Sequence, residues 1–135
     1  MTEKEIKISY EEYRCPEEML PEDRELVCEA IEAMNGAYAP YSRYHVGAAV
    51  RMSNGQIVRG ANQENAAFPS GLCAERTAMF AASARYPDKE MLSIAIAGGV
   101  YGRLGKEPCT PCGACRQVMA QYQAKSGKPM SVIMI

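Results

Sequence analysis

Three cysteines and one glutamate have the residue types and spacing that a metal-dependent reaction needs. Cys112 and Cys115 stand three residues apart at the start of a predicted helix, so both sulfurs lie on one face and can share one ion. Cys73 opens another predicted helix, with Glu75 two residues further on. Helix N-termini carry partial positive charge, which favours the thiolate form that binds metals. Three ligands leave the fourth position of zinc open for water, and Glu75 would be a nearby carboxylate that binds no metal but moves protons.

Spacing alone leaves other uses of these cysteines open. A single C-x-x-C pair serves redox chemistry, structural zinc or catalytic zinc. Cys109 precedes Cys112 by three residues, and with Cys73 and Cys115 this run could form a closed four-cysteine structural zinc site. The run is also similar to the start of an iron–sulfur motif, but no cysteine follows at the fourth spacing. The structural zinc site would leave Glu75 unexplained, so we interpret Cys109 as an ordinary loop thiol.

Composition and charge limit the class of protein. The 135 residues are 47% hydrophobic and 23% charged, which predicts one domain with its own core. Fifteen basic and sixteen acidic residues leave a net charge of −1, which argues against binding nucleic acid through bulk charge. The N-terminus is charged, and no apolar run approaches the roughly 20 residues that span a bilayer. We therefore predict a cytoplasmic protein whose cysteines stay reduced.

The N-terminal part of the chain divides into an extension and a helix. Residues 1–20 are polar and irregular in pattern, and we predict that the domain occupies residues 21–135. Pro21 suits the first turn of a helix, in which hydrophobic residues recur at helical spacing from Val27 until Asn35-Gly36 ends the pattern. Cys28 stands beside this apolar stripe, and we expect its thiol to be buried and inert.

The rest of the chain alternates between strand and helix patterns. Strands are predicted over 46–52, 56–61, 91–97 and 131–135, the third of them bounded by Gly98-Gly99, and helices over 73–85 and after Pro111. The first two strands form a hairpin through Ser53-Asn54-Gly55. This order, α-β-β-α-β-α-β, predicts an α/β fold with a mixed sheet covered by helices.

Five short motifs in this chain resemble those of the cytidine deaminase family and follow one another in the family's order. The cysteine motifs are CAERTA at 73–78 and PCGACRQ at 111–117; the others are APYS at 39–42, VGAA at 46–49 and NQENA at 62–66. The resemblance covers about residues 25–135. It implies a three-layer α/β/α sandwich with a mixed sheet of about five strands.

The resemblance implies an activity and a role for each matching residue. The activity is hydrolytic deamination of cytidine and deoxycytidine to uridine and deoxyuridine by a zinc-activated water, in pyrimidine salvage. Zn²⁺ would be held by Cys73, Cys112 and Cys115, and Glu75 would carry the proton. Arg76 would support the site, because three thiolates and Zn²⁺ sum to one negative charge. The implied substrate contacts are the side chains of Asn62, Glu64 and Tyr44, the backbone N–H of Ala74 and the backbone carbonyl of Thr110.

The resemblance also implies partners and leaves alternatives. It implies a small-molecule nucleoside substrate, no polynucleotide, no membrane, and a homotetramer whose sites are bordered by neighbouring subunits. The family continues past the last strand into an aromatic-bearing tail that does not follow Ile135 here. Deaminases of modified nucleosides such as blasticidin S share the cysteine motifs, although the 62–66 motif favours a ribose. A non-catalytic, zinc-stabilised interaction module is the alternative from a different class of protein.

Overall fold

The protein, described over residues 1–135 by a computed structural model, contains three α-helices and four β-strands. In chain order they are α1 (Pro21–Ala33), β1 (Tyr44–Met52), β2 (Ile57–Ala61), α2 (Ala74–Arg85), β3 (Met91–Val100), α3 (Gly113–Ser126) and β4 (Ser131–Met134). The predicted order of helices and strands is confirmed. Each cysteine of the predicted metal group lies at the beginning of α2 or α3.

The four strands form one mixed sheet in the order β2-β1-β3-β4. β1 is antiparallel to both β2 and β3, and β4 is parallel to β3. A tight turn at Gly55, whose φ is +84°, closes the predicted hairpin between β1 and β2. The strand count is four rather than about five, because the sequence contains only four segments with strand patterning.

The sheet separates two apolar cores, which confirms the predicted three layers. β1 shows the alternation: Ala49 faces α1, while Ala48 and Val50 face α2 and α3. The α1 core consists of Leu26, Val27, Ala30, Met34, Ala49, Ala95 and Ala97. The other core includes Met52, Ile94, Ile96, Ala74, Ala78, Met79, Cys115 and Met119. The metal group therefore belongs to the layer formed by α2 and α3.

β3 runs through the two glycines that were expected to end it. Gly98 and Gly99 pair with Val46 and His45 of β1. A Cβ on Gly98 would come within 2.8 Å of Cys109 Sγ, so this position lacks a side chain because a loop crosses it closely. The glycines thus let the segment before α3 lie against the sheet.

The prediction that Cys28 is buried is wrong, since its side chain is exposed. Each helical residue is turned by about 100° from the one before it. The buried stripe of α1 includes Leu26, Val27, Ala30 and Ala33, and Cys28 falls just outside it.

Residues 1–18 are exposed throughout, with one short 3-10 turn at Pro16–Glu18. Met19 is the first side chain that packs against a core, on the α1 side of the sheet. The division of the chain at residue 20 stays a prediction. None of the helices has the length and apolar character that a bilayer crossing requires.

Candidate active site

The candidate metal centre is formed where two helices begin on the same face of the sheet. Cys73 immediately precedes α2, Cys112 immediately precedes α3, and Cys115 lies in the first turn of α3. The three Sγ atoms lie within 4.8 Å of one another. Those of Cys73 and Cys112, 39 residues apart in sequence, are separated by 3.7 Å. The fold thus brings together the three cysteines that were predicted to share one ion.

The surroundings of Cys73 favour a thiolate. The Cys115 thiol and Arg76 hydrogen-bond to it and lower the pKa of Cys73 to about 5. Arg76 Nη2 donates to Cys73 Sγ over 3.4 Å. The pKa of Cys115 is raised, because its thiol donates to Cys73 and is desolvated by burial. The two thiols therefore titrate as a coupled pair, in which the hydrogen bonds from Arg76 and Cys115 favour the thiolate at Cys73.

The donor set fits zinc. Two sulfurs bound to one tetrahedral zinc at about 2.3 Å each lie about 3.8 Å apart, close to the 3.7 Å between Cys73 and Cys112. Cys115 is buried, Cys73 is half-buried and Cys112 is exposed, so the group opens to solvent on one side. Cys109 lies outside the group and packs over Gly98, which argues against a closed four-cysteine site. A three-thiol group with an open side has the form of a catalytic zinc site.

Glu75 lies in the first turn of α2 beside the sulfur group, with only 4% of the residue exposed. Burial raises the pKa of its carboxyl group, and the negative charge of Cys73 adds to this effect. A buried carboxyl with a raised pKa can accept and return a proton closer to neutral pH. The structure therefore places one acid–base group next to the candidate metal centre.

Asn62 holds the first residues of β1, and Glu64 holds the segment just before that strand. The Asn62 amide accepts from Val46 N over 2.9 Å and donates to the Tyr44 carbonyl over 2.8 Å. Glu64 Oε1 accepts from Tyr41 N over 2.9 Å and from Ser42 N over 3.1 Å.

The carboxylate of Glu64 is stabilised in its charged form by these contacts. The Ser42 hydroxyl and the backbone N–H groups of Ser42 and Tyr41 hold the pKa of Glu64 below its usual range. Both backbone N–H groups donate to the same oxygen, Oε1.

The remaining predicted substrate contacts occupy different environments. Tyr44 is half-buried at the start of β1, where burial and the neighbouring Cys109 raise the pKa of its hydroxyl. Ala74 is fully buried at the first position of α2. Thr110 is exposed in the loop before α3, between Cys109 and Pro111.

Close packing of α2 on β2 fixes the distance between the sheet and the start of α2, where Cys73 lies. A Cβ on Gly60 of β2 would collide with the backbone of Ala78 and would come within 2.8 Å of the Ala74 carbonyl oxygen. Small residues on both sides of this contact let the two backbones pack directly together.

Sequence reasoning did not identify the long-range contacts that support these residues. Gly60 carries no motif, and its role follows only from the packing of β2 on α2. Gln63 pairs through its backbone with Tyr38 on one side and Leu72 on the other, which joins the 38–44 segment to the approach to α2. These partners lie too far apart in the chain for spacing to predict them.

Comparisons with known proteins agree with this geometry. Residues 20–128 match the family model described as "Cytidine and deoxycytidylate deaminase zinc-binding region". A cytidine deaminase from Halalkalibacterium halodurans is 49% identical over 96 residues, and one from Sporosarcina psychrophila is 40% identical over 97 residues. The crystal structure of cytidine deaminase from Burkholderia pseudomallei superposes with a TM-score of 0.69 at 38% identity.

The extent of these matches differs between sequence and structure. The two sequence matches span 71% and 72% of this chain, and 68% and 67% of the relatives. The structural match covers 86% of this chain and 84% of the Burkholderia chain. All the motifs that carry the candidate site fall inside the family match.

Proposed function

Because the chain belongs to the cytidine and deoxycytidylate deaminase family, we propose that it hydrolyses cytidine and deoxycytidine to uridine and deoxyuridine with release of ammonia. We further propose that it works in pyrimidine salvage in the cytoplasm. All six cysteines are free thiols, which fits a reducing compartment. The observation that carries the proposal is the buried Glu75 carboxyl beside three convergent sulfurs.

In this proposal Cys73, Cys112 and Cys115 hold the zinc ion, which when bound supplies a Lewis acid that lowers the pKa of water to about 7. Glu75 accepts a proton as water adds to C4 of the cytosine ring. It then delivers protons to N3 and to the exocyclic amine, which leaves as ammonia. The water oxygen becomes the C4 carbonyl of uridine, and its two hydrogens end on N3 and on ammonia.

The charge around the sulfurs supports this assignment. Arg76 donates to Cys73, and both helix N-termini point their partial positive charge at the group. These contributions offset the net negative charge of three thiolates and one divalent ion, which would otherwise oppose proton loss from water. We assign Arg76 the role of supporting the zinc site.

The proposed nucleoside contacts use groups that retain hydrogen-bonding capacity. The Glu64 carboxylate has room for about four hydrogen bonds and can accept from a ribose hydroxyl as well, and the Asn62 amide can add one hydrogen bond at each end. We propose that the Ala74 N–H contacts the base carbonyl, that the Thr110 carbonyl accepts from the leaving amine, and that the Tyr44 ring lies near the base.

A homotetramer with shared sites would cover several aromatic side chains. Tyr38, Tyr41, Phe68 and Phe80 are each at least 43% exposed, and exposed apolar groups that lie together are typical of surfaces that contact another chain. Their exposure supports contacts between copies of the chain, and sedimentation equilibrium would measure the number of copies.

Glu75→Gln tests the proposed mechanism. The amide keeps the size of the side chain but cannot carry the proton, so cytidine turnover should fall at least about 100-fold. Zinc content should stay at that of the parent, because Glu75 is not one of the grouped sulfur ligands. Turnover is followed by the ultraviolet change on loss of cytidine, and zinc by elemental analysis.

Glu32→Gln is the matched control, since Glu32 is exposed on α1, on the other side of the sheet. It should leave both readouts unchanged. Full turnover in Glu75→Gln would contradict the mechanism. If the zinc-loaded parent failed to act on cytidine, deoxycytidine or blasticidin S, a non-catalytic zinc module would be favoured instead.

A further inference from the structure

Two residues outside the proposed machinery have an unusual backbone conformation. Arg43 and Tyr101 have φ values of +57° and +53°, and they are the only residues other than glycine with positive φ in the chain. In this region the Cβ atom crowds the backbone, so each conformation costs free energy that surrounding contacts must offset. Arginine and tyrosine have no short polar side chain that would ease it.

These two residues are bonded to each other, although 58 positions separate them. The Tyr101 backbone N–H donates to the Arg43 carbonyl over 2.8 Å. Arg43 Nη1 donates to the Tyr101 hydroxyl over 3.3 Å, and its guanidinium carbon lies 6.0 Å from the centre of the ring. Backbone and side chains therefore join the same two residues, and we call this pair the Arg43–Tyr101 clasp.

The clasp closes the segment that carries Tyr44 and anchors Glu64, two of the proposed nucleoside contacts. Arg43 N donates to the Ala39 carbonyl over 2.9 Å, which makes 39–43 a single turn. Tyr41 and Ser42 within that turn donate their N–H groups to Glu64. Tyr44 follows Arg43 directly. A rotation of the Arg43 backbone would therefore move both the anchor of Glu64 and the start of β1.

Tyr101 is itself held by the loop after β3. A Cβ on Gly99 would collide with the Arg103 carbonyl, so this loop folds tightly back on the strand. Gly102 has a φ of +75° and faces His45 of β1. The tight loop restricts the movement of Tyr101, and the bonds of Tyr101 to Arg43 in turn restrict the 39–44 segment.

We propose that the Arg43–Tyr101 clasp positions Glu64 and Tyr44 for the nucleoside by fixing the 39–44 segment before substrate binds. The inference rests on the proposed function for its effect on KM. Neither residue touches the reacting atoms, so both are positioning residues. Pre-organisation of a binding segment strengthens substrate binding without changing the chemical step.

The variants Arg43→Asn and Tyr101→Asn test the clasp. Asparagine tolerates the left-handed backbone better than most residues, so each variant removes the side-chain contact without adding strain. KM for cytidine should rise about three- to ten-fold, the range of one net hydrogen bond, while kcat stays within about twofold. The double variant should raise KM no more than one single variant does, because the two side chains act as a pair.

Arg85→Asn is the matched control. The Arg85 guanidinium lies 5.4 Å from the Tyr86 ring at the end of α2, which is the same kind of contact outside the proposed site. This variant should leave KM unchanged. Amide hydrogen exchange gives a readout independent of turnover: exchange of a peptide spanning 38–46 should speed up in the two clasp variants and not in Arg85→Asn.

The outcomes separate the clasp from the proposed function. Unchanged KM and unchanged exchange in both clasp variants would overturn the clasp. Faster exchange throughout β3 and α2 would also overturn it, because that result would show a general structural role. If the parent failed to deaminate cytidine, the proposed function would fail, and exchange in the 38–46 peptide would still decide whether the clasp fixes this segment.

Discussion

Replacement of Gly60 by alanine should damage the metal centre from a position that contacts none of its ligands. The added Cβ would collide with the Ala78 backbone N and would lie 2.8 Å from the Ala74 carbonyl oxygen. A Cβ in ordinary van der Waals contact lies 3.4–4 Å from its neighbours. The three nearest atoms all belong to the α2 backbone, so no side-chain rotation relieves the collision and the helix itself must move by about 1 Å.

The expected magnitudes follow from this displacement. Overpacking of this kind lowers the free energy of unfolding by about 1–3 kcal/mol. Cys73 moves with α2 while Cys112 stays with α3, which changes a sulfur–sulfur separation that is now 3.7 Å. Zinc–ligand distances tolerate changes of only about 0.2 Å. We expect Gly60→Ala to weaken zinc binding about 10–100-fold, as when the support of a metal ligand is disturbed.

Gly47→Ala is the matched control on the opposite face of the sheet. Its Cβ would collide with the Ala30 carbonyl oxygen and would lie 2.5 Å from the Met34 backbone N. α1 carries no residue of the metal group, so this variant should lose a similar free energy of unfolding while its folded form keeps the parent's zinc affinity. Zinc affinity is measured by competition with a chelating dye, and stability by urea unfolding.

The comparison between the two variants decides whether the reasoning holds. If Gly60→Ala lost stability like Gly47→Ala but kept the parent's zinc affinity, the link from the β2–α2 contact to the metal group would be wrong. If Gly60→Ala kept both stability and affinity, the close packing itself would be refuted.

Two further predictions concern a neighbouring thiol and a surface ion pair. Cys109→Ser should keep the parent's zinc content and turnover within about twofold, whereas Cys112→Ser should lose zinc, since only Cys112 belongs to the sulfur group. The hydrogen bond from Arg59 lowers the pKa of Glu29, so this contact stabilises the folded protein above the ordinary Glu29 pKa of 4.5 and is lost as pH falls through the lower folded value. At pH 7, Glu29→Gln should therefore reduce the free energy of unfolding by less than about 1 kcal/mol. In strong acid it should leave the free energy of unfolding unchanged. Urea unfolding at both pH values measures the difference.

Local signals in the sequence predict most of the fold. The apolar stripe from Val27 and the stop at Asn35-Gly36 predict α1, and the turn at Gly55 predicts the β1–β2 hairpin. These features depend on neighbours within a few residues. The alternation of strand and helix patterns then predicts a mixed sheet with helices on both faces, which the two separate cores confirm.

Features that depend on distant partners could not be predicted in the same way. Gly98-Gly99 has the local pattern of a strand end, but the pairing with β1 and the loop that carries Cys109 extend the strand through both glycines. Cys28 is exposed because it lies one residue, or about 100° around the helix axis, beyond the buried Val27. The contacts of Glu64 with Tyr41 and Ser42 join residues more than 20 positions apart, and no local sequence pattern predicts them.

The position of the thiolate shows why the two cysteine motifs need each other. The pKa of Cys73 is lowered, and the largest contribution to that shift is the hydrogen bond with Cys115 on the other helix. The pair Cys112-x-x-Cys115 alone would lack the third sulfur, and Cys73 alone would lack this hydrogen bond. Part of the stabilisation of this thiolate therefore depends on the packing that brings the first turns of α2 and α3 onto one face of the sheet, so the metal centre is a product of the tertiary fold.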